Sequence, residues 1–232
     1  RDLLAEEGSL RQRRGKYYLA PSISYPAQHI NIRSSSGEDY TVVDVATGTV
    51  METVEASVAF FQVHPGAIYL HQGEAFLITD LDLKNKLAYA EPSGGQYYTE
   101  TKEIHDLRIE KERDSRTLGD VTVSVGDVHV TIDVVGFKKY RQFSEEVVGE
   151  EPLDLPTIEF STVALWFDIP PAATARIADK GLDFAGGLHA VEHAAIGILP
   201  LFALCDRNDI GGVSTPLHPD TARAGVFIYG AF

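Results

Sequence analysis

The strongest spacing for chemistry in this chain is His189-Ala-Val-Glu192-His193. His189 and His193 are four apart, so on a helix both imidazoles leave one face and can ligate a single zinc ion. Glu192 is then placed to act as a base toward metal-bound water, the arrangement of a zinc-dependent hydrolase. Such a site needs a third protein ligand, and no glutamate follows Glu192. Cys205, Asp206, Asp209 or His218 would have to serve. The favoured reading is the plainer one, two histidines held by hydrogen bonds on a buried helix.

Other catalytic signatures are missing. The chain has no G-x-x-x-x-G-K-[ST] loop, no G-x-G-x-x-G fingerprint and no G-x-S-x-G elbow. A nucleotide-driven motor or a Rossmann oxidoreductase needs one of these to hold phosphate. The expectation is therefore a non-catalytic chain with no catalytic residue, metal ligand or cofactor of its own.

Two basic clusters are the candidates for contact with nucleic acid. Arg11, Arg13, Arg14 and Lys16 sit where a wing and the helix before it approach a phosphate backbone. Lys138, Lys139 and Arg141 form the second cluster. For both, the alternative is an ordinary solvated face. Tyr17, Tyr18, Tyr97 and Tyr98 have the chemistry to stack on bases, although strand tyrosines usually pack. His71 could be functional, but it reads rather as a strand histidine satisfied by a partner. In Asp206-Arg-Asn-Asp209, Arg207 is expected to be pinned by the flanking carboxylates, with a contact surface for another domain as the alternative.

Composition limits what these clusters can do. The net charge over 232 residues is −14, so phosphate is repelled on average and binding requires a local basic patch. The single cysteine, Cys205, excludes an intrachain disulfide and a thiolate zinc cluster built from this chain alone. It favours a reducing, cytoplasmic setting. Neither a signal peptide nor an apolar run of membrane-spanning length is expected, so no membrane partner is either. The sole methionine is Met51, and both ends read as internal to a longer chain.

The elements that must position these residues are mostly strands. Residues 1–14 have a weak helical period and are followed by a Gly15 turn into Tyr17-Tyr-Leu-Ala, a pattern like the end of a winged helix. From Ile30 to Trp166, alternating β-branched runs include Tyr40–Val45, Ala56–Val63, Glu74–Thr79, Asp120–Val125, Asp127–Val135 and Thr157–Phe167. Turns are expected at Thr47-Gly48, Gln72-Gly73, Gly94-Gly95 and Val125-Gly126-Asp127. Helices are expected over Ala172–Lys180 and Gly186–Leu199, the second stopped by Pro200. The fold class is α+β, mostly β: a barrel-like or sandwich body over 29–170, an end of a winged-helix unit over 1–28, and a helical cap over 171–232.

Four segments carry a resemblance. They are His64-Pro-Gly-Ala-Ile-Tyr-Leu-His-Gln-Gly-Glu74, His189-Ala-Val-Glu-His193, Leu201-Phe-Ala-Leu-Cys-Asp-Arg-Asn-Asp-Ile-Gly-Gly212 and Val226-Phe-Ile-Tyr-Gly-Ala-Phe232. In this order they resemble blocks of the DEAD/DEAH-box DNA helicases of superfamily 2, mitomycin-repair type. The resemblance implies a C-terminal accessory region placed after two motor domains, which brace against it and use ATP and magnesium to move 3′ to 5′ on single-stranded DNA. It implies a zinc-binding cysteine cluster in the longer parent chain, to which Cys205 does not belong. It also makes the His189 motif part of a helicase block and lowers the peptidase reading. A β-rich protein-interaction module remains the third alternative.

Overall fold

The structure, a computed structural model, describes residues 8–21 and 39–231. A short hairpin comes first, β1 (Leu10–Arg13) and β2 (Lys16–Leu19). Arg14 and Gly15 between them have φ of 51° and 73°, the paired left-handed values of a tight two-residue hairpin turn. Residues 10–13 are therefore strand, where a helix is expected from the sequence. The glycine-led turn folds them back onto Tyr17 and Tyr18, and a continuing helix cannot make that reversal. Residues 1–7 of the expected helix lie outside the described residues.

A five-stranded sheet follows, made of β3 (Asp39–Asp44), β4 (Val50–Glu55), β5 (Ile68–His71), β6 (Glu74–Asp82) and β7 (Leu87–Pro92). Their order is β4-β3-β7-β6-β5, antiparallel except for the parallel β3–β7 pair. Between β4 and β5 runs helix α1 (Ala56–Gln62), on a segment expected as strand. Ala59, Phe60 and Val63 are buried and Ala56 packs on the same core, a spacing of i, i+3, i+4 and i+7. The β-branched valines masked that period. The two ends of this sheet are brought together by side chains. Tyr69 on β5 donates to Glu52 on β4 at 2.6 Å, and His71 Nδ1 lies 3.1 Å from the same oxygen. These bonds hold Glu52 below its ordinary carboxylate range, and they give His71 the partner expected of a strand histidine.

The second sheet is built on a long hairpin, β8 (Tyr97–Leu118) and β9 (Val121–Arg141). One edge of β9 pairs with β8 throughout. Its other edge is shared by β11 (Ile158–Asp168) along its first half and β10 (Val147–Pro152) near its end. Strand β9 runs straight through Val125-Gly126-Asp127, where a turn is expected. Strand β8 bulges at Ile109/Lys111 and Glu112/Asp114, which presses its backbone against Gly126. A Cβ at Gly126 would collide with the carbonyl of Lys111. The glycine permits a close approach, not a reversal.

Helices α2 (Pro171–Asp179) and α3 (Phe184–Ile198) come next. Asp183 caps α3 by accepting from the Gly186 N–H at 3.1 Å, and Leu199-Pro200 closes it in a short 3₁₀ turn. The chain then returns through β12 (Ile210–His218) and β13 (Arg223–Gly230), giving the order β10-β9-β11-β13-β12 with β8 outside β9. β13 is paired on both sides and covered on both faces, so Ala224-Gly-Val-Phe-Ile-Tyr229 is continuously apolar. Its Phe227 and Tyr229 join Leu107, Val130 and Trp166 in the core of this sheet, while Val226 and Ile228 lie under α3.

The free edges of this sheet, β8 and the end of β12, also meet. Buried His218 donates from Nε2 to the Leu107 carbonyl at 2.9 Å and accepts the Asp220 N–H on Nδ1 at 3.2 Å. Asp220 in turn accepts the Ile109 N–H at 2.8 Å. The result is the mostly β, barrel-like body with a helix against it that the sequence leads one to expect.

Candidate nucleic-acid interface

The β1–β2 hairpin gathers Arg11, Arg13, Arg14 and Lys16 within six residues, all exposed. Arg11 and Arg13 lie on β1, Lys16 opens β2, and Arg14 stands at the turn. Among the described residues no carboxylate pairs with any of the four. Within the described residues they form a local basic patch in a chain of net −14.

The second cluster is different. Arg141 holds Glu146 through Nε at 2.7 Å, and Lys139 holds Glu151 at 2.5 Å. Lys138 stands opposite Glu150 in the β9–β10 ladder, where Lys102 also pairs with Glu150. The Arg141 guanidinium keeps Glu146 below its ordinary range, and Lys102 with Lys138 does the same to Glu150. These cations thus sit among carboxylates that already screen them, and the fold does not bring the two clusters together in one element. Of the tyrosines, Tyr98 stacks on Tyr140 with ring centroids 5.2 Å apart, and Lys139 lies over the Tyr97 ring at 5.4 Å. Tyr18 is exposed on the basic hairpin.

The His189 motif occupies α3, but the helix is not buried all round. Leu188, Glu192 and Ile196 face the sheet, whereas His189 and His193 are exposed. Glu192, 6% exposed, accepts from the Ser214 hydroxyl at 2.6 Å and lies 3.4 Å from His189 Nδ1. The two histidines meet through their Nε2 atoms at 3.1 Å. Gly212 makes room for this carboxylate, since a Cβ there would strike its Cγ. The carboxylate is spent on tying α3 to β12, which removes it from the role of a base. By length and composition alone, Phe184–Leu201 is apolar enough to cross a membrane. Here one flank of that segment packs on β12 and β13.

The loop after α3 corrects another expectation. Arg207 pairs with neither neighbouring carboxylate. Instead, Asp206 accepts the Asn208 N–H and Asp209 accepts the Asp206 N–H, both at 2.9 Å. This reciprocal cap shapes the turn because the carboxylates reach backbone donors first. Two polar groupings have no sequence signal at all. One is the chain from Glu103 to His105 Nε2 at 3.0 Å and from His105 Nδ1 to Tyr229 at 3.2 Å, which joins residues 124 positions apart. Burial foremost, with the charges of Glu192 and Glu103, pushes the Tyr229 phenol up to about 12. The other is His218 with Asp220.

A β-rich body that carries a basic hairpin is the class of molecule these features define. Its similarities to known proteins narrow that class. Over 98% of its length the chain is 32% identical to the ATP-dependent helicase YprA of Bacillus subtilis, of which it spans 30%. It is 28% identical over 81% of its length to the ATP-dependent helicase HRQ1 of Saccharomyces cerevisiae, spanning 18% of that protein. The crystal structure of the DUF1998 helicase MrfA bound to DNA aligns with all of the chain at a TM-score of 0.63 and 27% identity, over 31% of its own length. Residues 191–232 match the family described as the MrfA Zn-binding domain. The chain thus resembles, along nearly its whole length, a region that makes up about a third or less of helicases of this type, in agreement with the resemblance of the sequence blocks.

That family description implies zinc, and the residues present do not assemble a site for it. Cys205 donates its thiol to the Ala203 carbonyl at 3.6 Å, and both nitrogens of His218 are engaged. Among the described residues no three His, Cys, Asp or Glu side chains come together to hold a metal.

Proposed function

We propose that this chain is the non-catalytic accessory region of an ATP-dependent DNA helicase, and that its β1–β2 hairpin helps guide single-stranded DNA while the barrel-like body braces the motor. In this reading residues 1–28 end a winged-helix unit, 29–170 form the body and 171–232 the cap, and any zinc belongs to the longer protein. The observation that carries it is four cations on one hairpin, without a carboxylate partner among the described residues, in an acidic chain similar to ATP-dependent helicases along nearly its whole length. Phosphate binding draws on such cations and releases counterions. Lys138, Lys139 and Arg141 take the smaller share, because Lys139 and Arg141 must first leave Glu151 and Glu146 and Lys138 lies opposite the carboxylate of Glu150.

Fluorescence anisotropy with a labelled single strand tests this at several salt concentrations. Arg13→Ala with Lys16→Ala should weaken binding for every base sequence and lower the magnitude of the log–log salt slope by about 1.4, near 0.7 for each cation withdrawn from the phosphates. Lys138→Ala with Arg141→Ala should change it less. Equal effects from both pairs, or no salt dependence, would refute the assignment to the hairpin.

A further inference from the structure

At the mouth of the second sheet lies a cavity of about 430 Å³. Its size falls within the range of about 300–1,000 Å³ common for small-molecule sites, and barrel mouths are a favoured place for them. The floor is Trp166, 3% exposed and stacked on Phe227 at 5.9 Å. The walls carry Thr122 and Ser124 of β9, Glu112 of β8, Asp168 of β11 and Arg223 of β13.

Two polar side-chain oxygens here have no hydrogen-bond partner among the described residues. Ser124 is 95% buried, its exposure being 5%, and its hydroxyl makes no hydrogen bond among the described residues. Asp168 is held by one long interaction, Arg223 Nη1 to Oδ2 at 3.3 Å, while its shielded Oδ1 has no hydrogen-bond partner. Buried polar atoms are nearly always satisfied, so the unpartnered Asp168 Oδ1, with the accessible Ser124 hydroxyl in the same wall, marks a place completed by something polar. Neither group supports the core below it, which closes through Trp166, Phe227 and Leu107.

The surrounding charge selects the occupant. Glu112, Asp168 and Asp220 face a single cation in the cavity wall, Arg223, and Asp220 is further shared with Arg108. The balance is negative, which disfavours phosphate or carboxylate and favours a neutral ligand that donates hydrogen bonds. A flat ring against Trp166 and Ile109, with N–H groups toward Asp168 and Ser124, meets all of these conditions.

We propose that the barrel-mouth cavity is a binding site for a nucleobase bearing an exocyclic amino group, received from an unpaired DNA strand. The amino group donates to the Asp168 carboxylate and a ring nitrogen accepts the Ser124 hydroxyl. Thymine has no amino group and is the poorer fit. The DNA part of this inference rests on the function proposed above. The cavity's preference for an amino-bearing base does not.

Trp166 is the only tryptophan in the chain, so its emission reports on the cavity directly. The full 232-residue chain is titrated with adenosine, cytidine, guanosine and thymidine, then with (dA)₁₂, (dC)₁₂ and (dT)₁₂. Adenosine or cytidine should change Trp166 emission saturably while thymidine does not, and (dA)₁₂ or (dC)₁₂ should do so more strongly than (dT)₁₂. Asp168→Asn and Ser124→Ala should each weaken this response about tenfold or more, the scale of one hydrogen bond to a charged or buried group. Their circular dichroism and thermal midpoints establish that they are folded.

An equal response to thymidine, or no response to any nucleoside, would overturn the site. Oligonucleotides that bind by anisotropy with Trp166 silent and both variants unaffected would overturn the site and leave the DNA function standing. Nucleosides that bind while no oligonucleotide does would uphold the site and overturn the DNA function.

Discussion

Removing the imidazole of His218 should open the second sheet at its seam. The ring is 2% exposed and rests against Phe227, with centroids 4.4 Å apart. It is the donor to the Leu107 carbonyl and the acceptor for the Asp220 N–H, and Asp220 in turn holds the Ile109 N–H. β8 and β12 stand at opposite ends of the strand order, so backbone ladder bonds do not join them at this point. His218→Leu keeps most of the volume and deletes both hydrogen bonds. The Leu107 carbonyl is left without a partner, at a cost of about 1–3 kcal/mol for a buried group. The Asp220 N–H is nearer solvent and adds about 0.5–1 kcal/mol. The sum is about 2–4 kcal/mol. His218→Ala adds a cavity beside Phe227 and should cost about 1–2 kcal/mol more. Urea unfolding followed by circular dichroism measures this as a lower midpoint at unchanged slope. At about 2–4 °C per kcal/mol for a chain of this size, the thermal midpoint of His218→Leu should fall by roughly 4–16 °C. Asp220→Ala should reproduce part of the destabilisation, and in the double variant the two effects should be less than additive, because the residues share one network. A destabilisation below about 0.5 kcal/mol for His218→Leu, the level of an ordinary surface change, would show that the seam is not held by this ring.

Other perturbations probe different parts of the structure. Gly126→Ala should destabilise by about 1–3 kcal/mol, since the new Cβ meets the Lys111 backbone inside a bulged ladder that cannot yield as a side chain can. Gly187→Ala, in open space on α3, should instead be neutral or stabilising by up to about 1 kcal/mol. The pH dependence follows from Tyr229. Its phenol sits higher in the folded chain, at about 12, than the ordinary value of 10. The associated stability is complete below pH 10 and is lost as pH rises toward 12, by about 2–3 kcal/mol at 1.36 kcal/mol per pH unit. Urea midpoints measured from pH 9 to 12 should fall more steeply for the wild-type chain than for Tyr229→Phe, and parallel curves would rule the assignment out.

Much of the local structure is legible along the chain, and the reason is physical. Alternating β-branched residues between Gly, Asp and Pro yield β3, β6, β9 and β11 because those patterns depend on neighbours two residues away. Helix α3 is equally plain, with Pro200 as its stop, and the structure adds Asp183 as its cap. Sequence and structure part where a local pattern serves two masters. Ala56–Gln62 satisfies both a strand and a helix count, and only burial of Ala59, Phe60 and Val63 against the first core makes it a helix. Gly126 looks like a turn because its neighbour across the sheet, the bulged Lys111 carbonyl, is invisible in sequence.

The same division holds for the His189 motif and the site residues. Residue types and spacing alone establish that His189 and His193 share a helical face and that the chain is acidic with a basic cluster near its start; the helicase reading comes from the resemblance of the ordered blocks. Types and spacing also establish that no phosphate loop is present. Tertiary structure decides what those groups do. It turns Glu192 inward onto Ser214, screens Lys139 and Arg141 with nearby carboxylates, and leaves Arg11, Arg13, Arg14 and Lys16 without a carboxylate partner among the described residues. It also brings His218 to Leu107 across 111 residues and collects Ser124, Asp168 and Arg223 around Trp166. Hydrogen bonds and charge screening act over a few ångströms in space, and sequence separation carries no record of which groups come that close.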